Sequence, residues 1–237
     1  MNKTFKTLLC LATISLGIGT AAQAQDRKFY QTFYLDLCMP TADFGSKVSS
    51  SHPTVPLYYT EIGKDASVGF GLGYRLSYRL DVGLGEVAPF GNVDILWNTI
   101  KGKWRDKYSD AYMSTPTYFN IPFLLGVTYI YDELPWPDIR AYGEFGIGPD
   151  FLWITPEGDD GKLVPKIAYK LDVALGWTIG LGAYFGRYFS AGINYYGLGK
   201  HDIDYTKNTL EDLEYTSNPP RERRTVVSVM LRLGFHF

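Results

Sequence analysis

Residues 224–237 read RTVVSVMLRLGFHF, and this stretch decides the fold. One parity of the stretch is apolar and the other is mixed: Val227, Val229, Leu231, Leu233, Phe235 and Phe237 against Val226, Ser228, Met230, Arg232, Gly234 and His236. A period of two over this length predicts a β-strand with one apolar face. Strands of soluble sheets usually have about five or six residues, whereas a tilted membrane-spanning strand needs roughly nine to eleven. The stretch therefore favours a membrane β-barrel over the alternative, an edge strand of a soluble sandwich.

The same alternation recurs upstream, most clearly where Phe70, Leu72 and Tyr74 alternate with glycines. In the third predicted strand the parity is blurred around Pro89, so we expect a bulge or kink there. Together with the C-terminal stretch, the pattern predicts eight strands at about 29–38, 67–78, 82–97, 117–131, 138–153, 166–184, 188–198 and 224–237.

The connections between these strands alternate between long and short. The long ones are about 39–66, 98–116, 155–164 and 199–223. Outer-membrane barrels have long outer loops and short periplasmic turns, and an even strand count leaves both termini in the periplasm. The sequence therefore predicts an all-β protein, an eight-stranded antiparallel up-and-down transmembrane β-barrel. Ten strands is the alternative if residues 55–62 also pair.

Composition agrees with one large all-β domain. Lys and Arg number 23 against 25 Asp and Glu, so no basic excess indicates a nucleic-acid partner. Aromatic residues make up 16% of the chain and glycines number 25, which suits curved strands with aromatic girdles. The mean hydropathy of −0.11 fits a membrane barrel as well, because half of each strand faces a polar interior.

The first residues have the pattern of a secretory signal. Lys3 and Lys6 precede a short apolar run at 8–19, and Ala22-Gln23-Ala24 is a small-residue cleavage site. The sequence thus predicts a signal peptide at 1–24, with cleavage near Ala24, and a barrel domain at 25–237. Cys38 is then the single remaining thiol, so no internal disulfide is expected.

Three segments carry a family resemblance: 118–126 (YFNIPFLLG), the Gly-rich hairpin of the second and third strands, and 231–237 (LRLGFHF). Together they resemble the outer-membrane β-barrel domain family common in Bacteroidota, often labelled porin-like. The resemblance covers the whole chain after the signal peptide. It implies location in a Gram-negative cell outer membrane, contact with its lipid and lipopolysaccharide, and a C-terminal strand, ending at Phe237, that the barrel-assembly machinery reads. It implies no catalytic residues.

The strongest enzyme candidate is His201 with Asp202 and Asp204, at the start of the fourth long loop, with His52 from the first. A histidine–carboxylate pair can act as a general base. The alternative is a solvated polar loop, which we favour. An outer-membrane hydrolase or lipid A acyl-modifying enzyme is therefore the second functional hypothesis.

The second long loop contains five basic or aromatic residues in close order: Lys101, Lys103, Trp104, Arg105 and Lys107. Such a rim could bind lipopolysaccharide phosphates, although an ordinary solvated loop is the favoured interpretation. The chain has no phosphate-binding loop and no zinc-protease motif, and Cys38 and the histidines lack metal-ligand spacing. We expect neither a cofactor nor a metal.

Charged residues on the inward parity predict what fills the barrel. They are Asp36, Arg75, Arg140, Glu144, Asp150, Lys170, Asp172 and Arg232. Because isolated buried charges are costly, we expect them to pair across the lumen. Eight strands leave an interior that side chains just fill, and Tyr34, Tyr118, Tyr142, Tyr188 and Met230 are expected to occupy more of it. The sequence predicts a plugged, non-enzymatic barrel with an envelope-structural role or a role in binding through its loops.

Overall fold

The computed structural model describes residues 28–47, 62–103, 105–106, 114–156, 167–208 and 222–237. The predicted signal peptide at 1–24 and His52 lie outside these residues. Among the described residues, no helix combines the length and hydrophobicity needed to cross a membrane.

The described residues form one short helix, α1 (Ala42–Gly45), and a series of strands. The strands are β1 (Phe29–Thr41), β2 (Gly69–Tyr78), β3 (Leu80–Asp81), β4 (Glu86–Thr99), β5 (Thr117–Tyr131), β6 (Ile139–Ile154), β7 (Ile167–Tyr169), β8 (Asp172–Phe185), β9 (Phe189–Ile203), β10 (Tyr205–Asn208) and β11 (Glu222–His236).

Eight of these strands form a closed antiparallel barrel in the order β1-β2-β4-β5-β6-β8-β9-β11, and β11 returns to pair with β1. The short β3 extends the β2–β4 hairpin below the barrel, and β7 pairs with β10 beyond its opposite end. The predicted eight-stranded barrel is confirmed. Its circle closes without a strand from 55–62, a segment that lies, apart from Ile62, outside the described residues.

The side chains of β11 show how the wall divides inside from outside. Leu231, Leu233 and Phe235 are 43–54% exposed on the outer surface, whereas Met230 and Arg232 are at most 1% exposed inside. The predicted alternation of this strand is therefore confirmed. Successive side chains of a strand point alternately to the lumen and to the outer surface, and the closed barrel leaves no strand edge unpaired.

Aromatic side chains form rows on the outer surface. At the end where the long connections lie, Phe70, Trp97, Phe119 and Trp153 are register partners on four successive strands. The rings of Phe119 and Trp153 stack with centroids 5.1 Å apart. At the opposite end, a second row includes the pairs Phe33–Phe237 and Phe189–Phe235. These rows are typical of the aromatic girdles at the edges of a lipid-facing band.

The prediction of a bulge at Pro89 is wrong. Pro89 pairs in register with Val127 on β5. On its other side, the pairing of β4 with β2 includes Phe90 but does not reach Pro89. The missing N–H of Pro89 therefore falls where the ladder to β2 has already ended, so no bulge is needed.

A bulge occurs instead in β9, where Val226 pairs with Gly199 but Val227 pairs with Gly197. Leu198 is the extra residue, and Gly199 adopts φ +95°. The bulge reverses the parity of β9, so His201 and Ile203 point inward and Lys200 and Asp202 face outward. The expectation of a loop from 199 was wrong, because β9 continues past the bulge to Ile203.

We predict that Gly199→Ala destabilises the barrel. A Cβ at Gly199 would lie 2.7 Å from the Ala174 Cβ and 2.8 Å from the Leu175 carbonyl oxygen, in addition to the unfavourable positive φ. Gly186→Ala is the matched control, because Gly186 also has a positive φ but a Cβ there meets nothing within 4 Å. Urea titration in detergent micelles should show a loss of about 1 kcal/mol for the control and a larger loss for Gly199→Ala. Equal losses would contradict the close packing at the bulge.

Candidate functional site

The interior of the barrel contains a buried ion pair between the first and last strands. The Arg232 Nε donates to Asp36 Oδ1 at 2.8 Å and its Nη2 donates to Asp36 Oδ2 at 2.9 Å. The same Nη2 lies 2.9 Å from Oδ1 of Asp94 on β4. All three side chains are at most 1% exposed. Two carboxylates thus share one guanidinium in a site shielded from water, where charge-assisted bonds are strong.

A second ion pair lies beside the first. Arg75 on β2 donates through Nη1 and Nη2 to the two carboxylate oxygens of Glu144 on β6, at 2.6 and 2.9 Å. Asn194 on β9 donates to Glu144 Oε1 at 2.6 Å, and Arg75 Nη1 reaches the Thr128 hydroxyl on β5 at 3.4 Å. The pair is therefore satisfied by neighbouring polar groups as well as by charge.

The two ion pairs belong to one network. Asn92 accepts from Arg75 Nε at 3.4 Å and donates to Asp94 Oδ2 at 2.6 Å, which joins them. The ring of Tyr34 lies 5.0 Å from the Arg75 guanidinium and 4.3 Å from that of Arg232. Asn194 also reaches the Thr178 hydroxyl on β8 at 3.5 Å. The network thereby includes a side chain from each of the eight barrel strands.

Beyond this network, the half of the lumen nearer the long connections, here called the outer half, is filled by apolar side chains; the opposite end of the barrel is called the inner end. Phe44 of α1 is fully buried and packs edge-on against Tyr118, with ring centroids 5.1 Å apart. Inward residues of the wall surround this pair, among them Cys38, Leu96, Leu124, Leu152, Leu198, Val226 and Met230. The outer half therefore resembles a soluble hydrophobic core enclosed by the barrel, capped by α1.

His201 lies fully buried at the outer edge of this core. Its Nε2 is 3.0 Å from Asp150 Oδ2 and 2.9 Å from the Leu198 carbonyl oxygen, and its Nδ1 is 2.9 Å from Asp172 Oδ2. Both ring nitrogens thus face acceptors only, which fits an imidazolium that donates on both sides. Such a ring has no free lone pair with which to act as a base.

The predicted catalytic group is not assembled by the described residues. The Asp202 side chain is exposed and pairs with Arg223 at 3.1 Å, while its backbone N–H donates to Asp172. The Asp204 carboxylate binds Lys170 at 2.6 Å. His52 lies outside the described residues. His201 is a buried structural group whose place depends on the bulge in β9.

Three residues expected inside the barrel lie elsewhere. The Lys170 side chain is 51% exposed, because this residue falls in the irregular link between β7 and β8, outside the alternation. Arg140 lies at the inner mouth, 3.6 Å from both Glu86 and Asp132. Tyr188 is exposed in the turn between β8 and β9. Of the eight predicted charges, Lys170 and Arg140 thus lie outside the buried network, and so do Asp150 and Asp172, which contact His201 instead.

The most important network residue that the sequence reasoning missed is Asp94, which is 0% exposed. A signal for it was present, since Asn92, Asp94 and Asn98 share one parity of the third strand and alternate with apolar residues. The expected bulge at Pro89 obscured that parity. Asn194 and Tyr196 were missed as well, because uncharged side chains do not by themselves indicate an ionic network.

Part of the predicted basic rim holds two loops together. Asp65 is fully buried and accepts from Lys101 Nζ at 3.0 Å and lies 3.1 Å from Lys103 Nζ. Lys101 Nζ also donates to the Gly45 carbonyl oxygen at 3.0 Å. Arg105 is exposed, and Trp104 and Lys107 lie outside the described residues. Asp65 therefore connects the segment that precedes β2 with the segment that follows β4.

At the inner end, His236 bridges two hydroxyl groups. Its Nδ1 is 2.8 Å from Thr32 Oγ1, and its Nε2 is 2.8 Å from Ser190 Oγ. No carboxylate among the described residues hydrogen-bonds to this ring. The contacts join β1, β9 and β11 where the barrel closes, which indicates a structural role.

The fold and the interior define a class of protein: a closed eight-stranded β-barrel with a filled, ion-paired lumen and an apolar outer surface. No family model and no curated protein matches the chain. Three solved structures are similar to it at low identity. Neisserial surface protein A is 13% identical, with 88% of this chain and 96% of that chain covered and a TM-score of 0.40. The outer membrane enzyme PagL is 12% identical, with 86% of this chain and 97% of that chain covered and a TM-score of 0.40. A major outer membrane protein from Thermus thermophilus is 13% identical, with 88% of this chain and 99% of that chain covered and a TM-score of 0.41. A similarity of this degree carries no information about activity.

We predict that Glu144→Gln strongly destabilises the barrel, because it leaves the Arg75 guanidinium buried without its counter-charge. Removing one partner of a buried ion pair costs about 3–5 kcal/mol. Asp202→Asn is the matched control, since the side chains of Asp202 and Arg223 are 61% and 67% exposed and such an exposed pair is worth less than about 1 kcal/mol. Urea titration of refolded protein would measure both losses. A Glu144→Gln loss no larger than that of the control would show that the pair contributes little.

Proposed function

We propose that this chain is an integral outer-membrane β-barrel with a plugged lumen and no enzymatic activity, which serves an envelope-structural role or binds partners through its outer loops. The observation that carries the proposal is the inverted distribution of polarity. Charged side chains are buried inside, while large apolar side chains cover the outer surface on every barrel strand. Soluble monomers rarely expose apolar patches beyond a few hundred Å², whereas a lipid-facing barrel requires such a surface.

The height of the apolar surface supports placement in a bilayer. On β8 the outward residues from Val173 to Phe185 are apolar, and Leu175, Ile179 and Leu181 are 54–68% exposed. This run is about 40 Å long at roughly 3.3 Å per residue, or about 30 Å high at a strand tilt of about 40°. The hydrocarbon core of a bilayer is about 30 Å thick. Above the run, the outward positions of β9 are polar, with Lys200 and Asp202.

The enzyme hypothesis gains no support from His201, because this residue is buried and both of its ring nitrogens are engaged. The proposed partners are lipids. The side chains of Lys101 and Lys103 are 38% and 54% exposed, and their Nζ atoms lie 3.0 and 3.1 Å from the Asp65 carboxylate, so both cations are held near the surface. They follow Trp97 of the aromatic row by a few residues, which is the level where lipopolysaccharide phosphates would lie.

Assembly is proposed to depend on the end of β11. The ring of Phe237 stacks on that of Phe33 at 5.4 Å, and its backbone exchanges hydrogen bonds with Gln31. These contacts close the barrel at its inner end, so a machinery that recognises Phe237 would act on the strand that completes the circle.

The proposed location predicts that the mature protein, beginning near Gln25, is found in the detergent-extracted outer-membrane fraction. Cell fractionation followed by N-terminal sequencing would measure this. Recovery of the folded protein from the soluble periplasmic fraction would overturn the proposed function.

We predict that Leu231→Arg costs roughly 2–4 kcal/mol of folding free energy in lipid vesicles, because it places a charge on the lipid-facing surface. Thr225→Arg is the matched control on the same strand and parity, beyond the apolar band, and should cost less than about 1 kcal/mol. Urea titration in vesicles would measure both. A Leu231→Arg variant as stable as the control would indicate that this surface faces water.

A further inference from the structure

Asn120 on β5 is the polar side chain that the structure leaves unexplained. It is 1% exposed, and among the described residues neither its Nδ2 nor its Oδ1 has a hydrogen-bond partner. Its register partners are Leu96 and Leu152, so it lies within the apolar outer half of the lumen. A buried amide without partners destabilises a protein, and in native structures such groups bind other protein atoms or ordered water.

Two carboxylates flank Asn120 on the neighbouring strands. Pro122, two residues along β5, pairs with Asp150 of β6, and the β4–β5 register places Asp94 opposite the same proline. Asp94 and Asp150 are thus the diagonal neighbours of Asn120 on the luminal face. Diagonal neighbours lie roughly 7–8 Å apart, too far for a direct bond between short side chains but suitable for one bridging water.

The hydrogen-bond ladder around Pro122 is interrupted on both sides of β5. The ladder lacks pairs between Val93–Phe123 and Leu96–Asn120 on one side, and between Pro122–Asp150 and Leu125–Ile147 on the other. The backbone N–H groups of Phe151 and Ile121 are directed at the Asp150 carboxylate, and no side-chain donor among the described residues reaches its Oδ1.

These features determine which ligand fits. The Asn120 Nδ2 needs an acceptor and its Oδ1 needs a donor, and Asp150 Oδ1 can accept a further hydrogen bond. A bare cation has no acceptor to offer, and an anion would be repelled by Asp94 and Asp150. Water is small enough, neutral, and both donor and acceptor.

We propose that ordered water binds at Asn120 and links its amide to the carboxylates of Asp150 and Asp94. The water would join the His201 group at the outer edge of the lumen to the Arg232–Asp94 ion pair at its centre. Through Asn120, a single hydrogen-bonded column then crosses the apolar outer half of the lumen, and the position of the His201 ring depends on it.

A high-resolution crystal structure of the wild type tests the water site. The expected result is a density peak within hydrogen-bond distance of both Asn120 Nδ2 and Asp150 Oδ1. The absence of a peak would overturn the proposal, and so would a peak surrounded by carboxylate oxygens alone at cation distances.

The link to His201 is tested by histidine-ring ¹⁵N NMR in detergent micelles. Asn120→Leu is expected to abolish the density peak and shift the His201 ring resonances. Asn98→Leu is the matched control, because Asn98 is equally buried on the next strand but donates to the Ser67 carbonyl oxygen, and it should leave those resonances in place. Asn120→Ser, which keeps a hydroxyl group and adds room, should retain the peak. Unchanged His201 resonances in Asn120→Leu would overturn the link. If Asn120→Leu does not fold, Asn120→Ser decides the matter, and loss of its density peak would overturn the link.

Discussion

The structure depends on one constraint: charged side chains inside the barrel must be paired where bulk water does not reach them. Arg75 and Arg232 are each fully enclosed, and each is held by carboxylates on other strands. Removing the partner of a buried guanidinium lowers the free energy of unfolding far more than removing the partner of an exposed one. Because the network takes a side chain from every barrel strand, a shift of any strand by one residue would turn at least one of these groups outward and leave its partner alone.

The requirements of this network explain features of the wall around it. Gly73 lies beside Asp94, and a Cβ at that position would collide with the Asp94 carboxylate and crowd Tyr34. The small residue therefore makes room for the ion pair rather than for an open channel. The outer half of the lumen satisfies the same constraint differently, because apolar residues such as Phe44 and Leu96 need no partners. The two halves together leave the interior filled while the outer surface remains free to contact lipid.

Periodicity predicted the wall well and the site only in part. The strands at 117–131 and 224–237 alternate without interruption, so both their extent and their inward residues could be predicted. His201 could not, because a one-residue bulge at Leu198 turns it inward, and nothing in a period of two marks where such a residue is inserted. The prediction for Lys170 was wrong for the converse reason, since this residue lies between β7 and β8, where the alternation stops. Asp94 was missed although its parity was readable, and its role depends on Arg232, a residue far away in the sequence.

We infer that the ion-paired network and the apolar core close the lumen of the barrel. Planar-bilayer recording of the purified mature protein tests this most directly, because an eight-stranded barrel filled by side chains offers no continuous water path. We expect the inserted protein to give no stable conductance steps. Stable, large, ohmic steps from protein shown to be folded would contradict it.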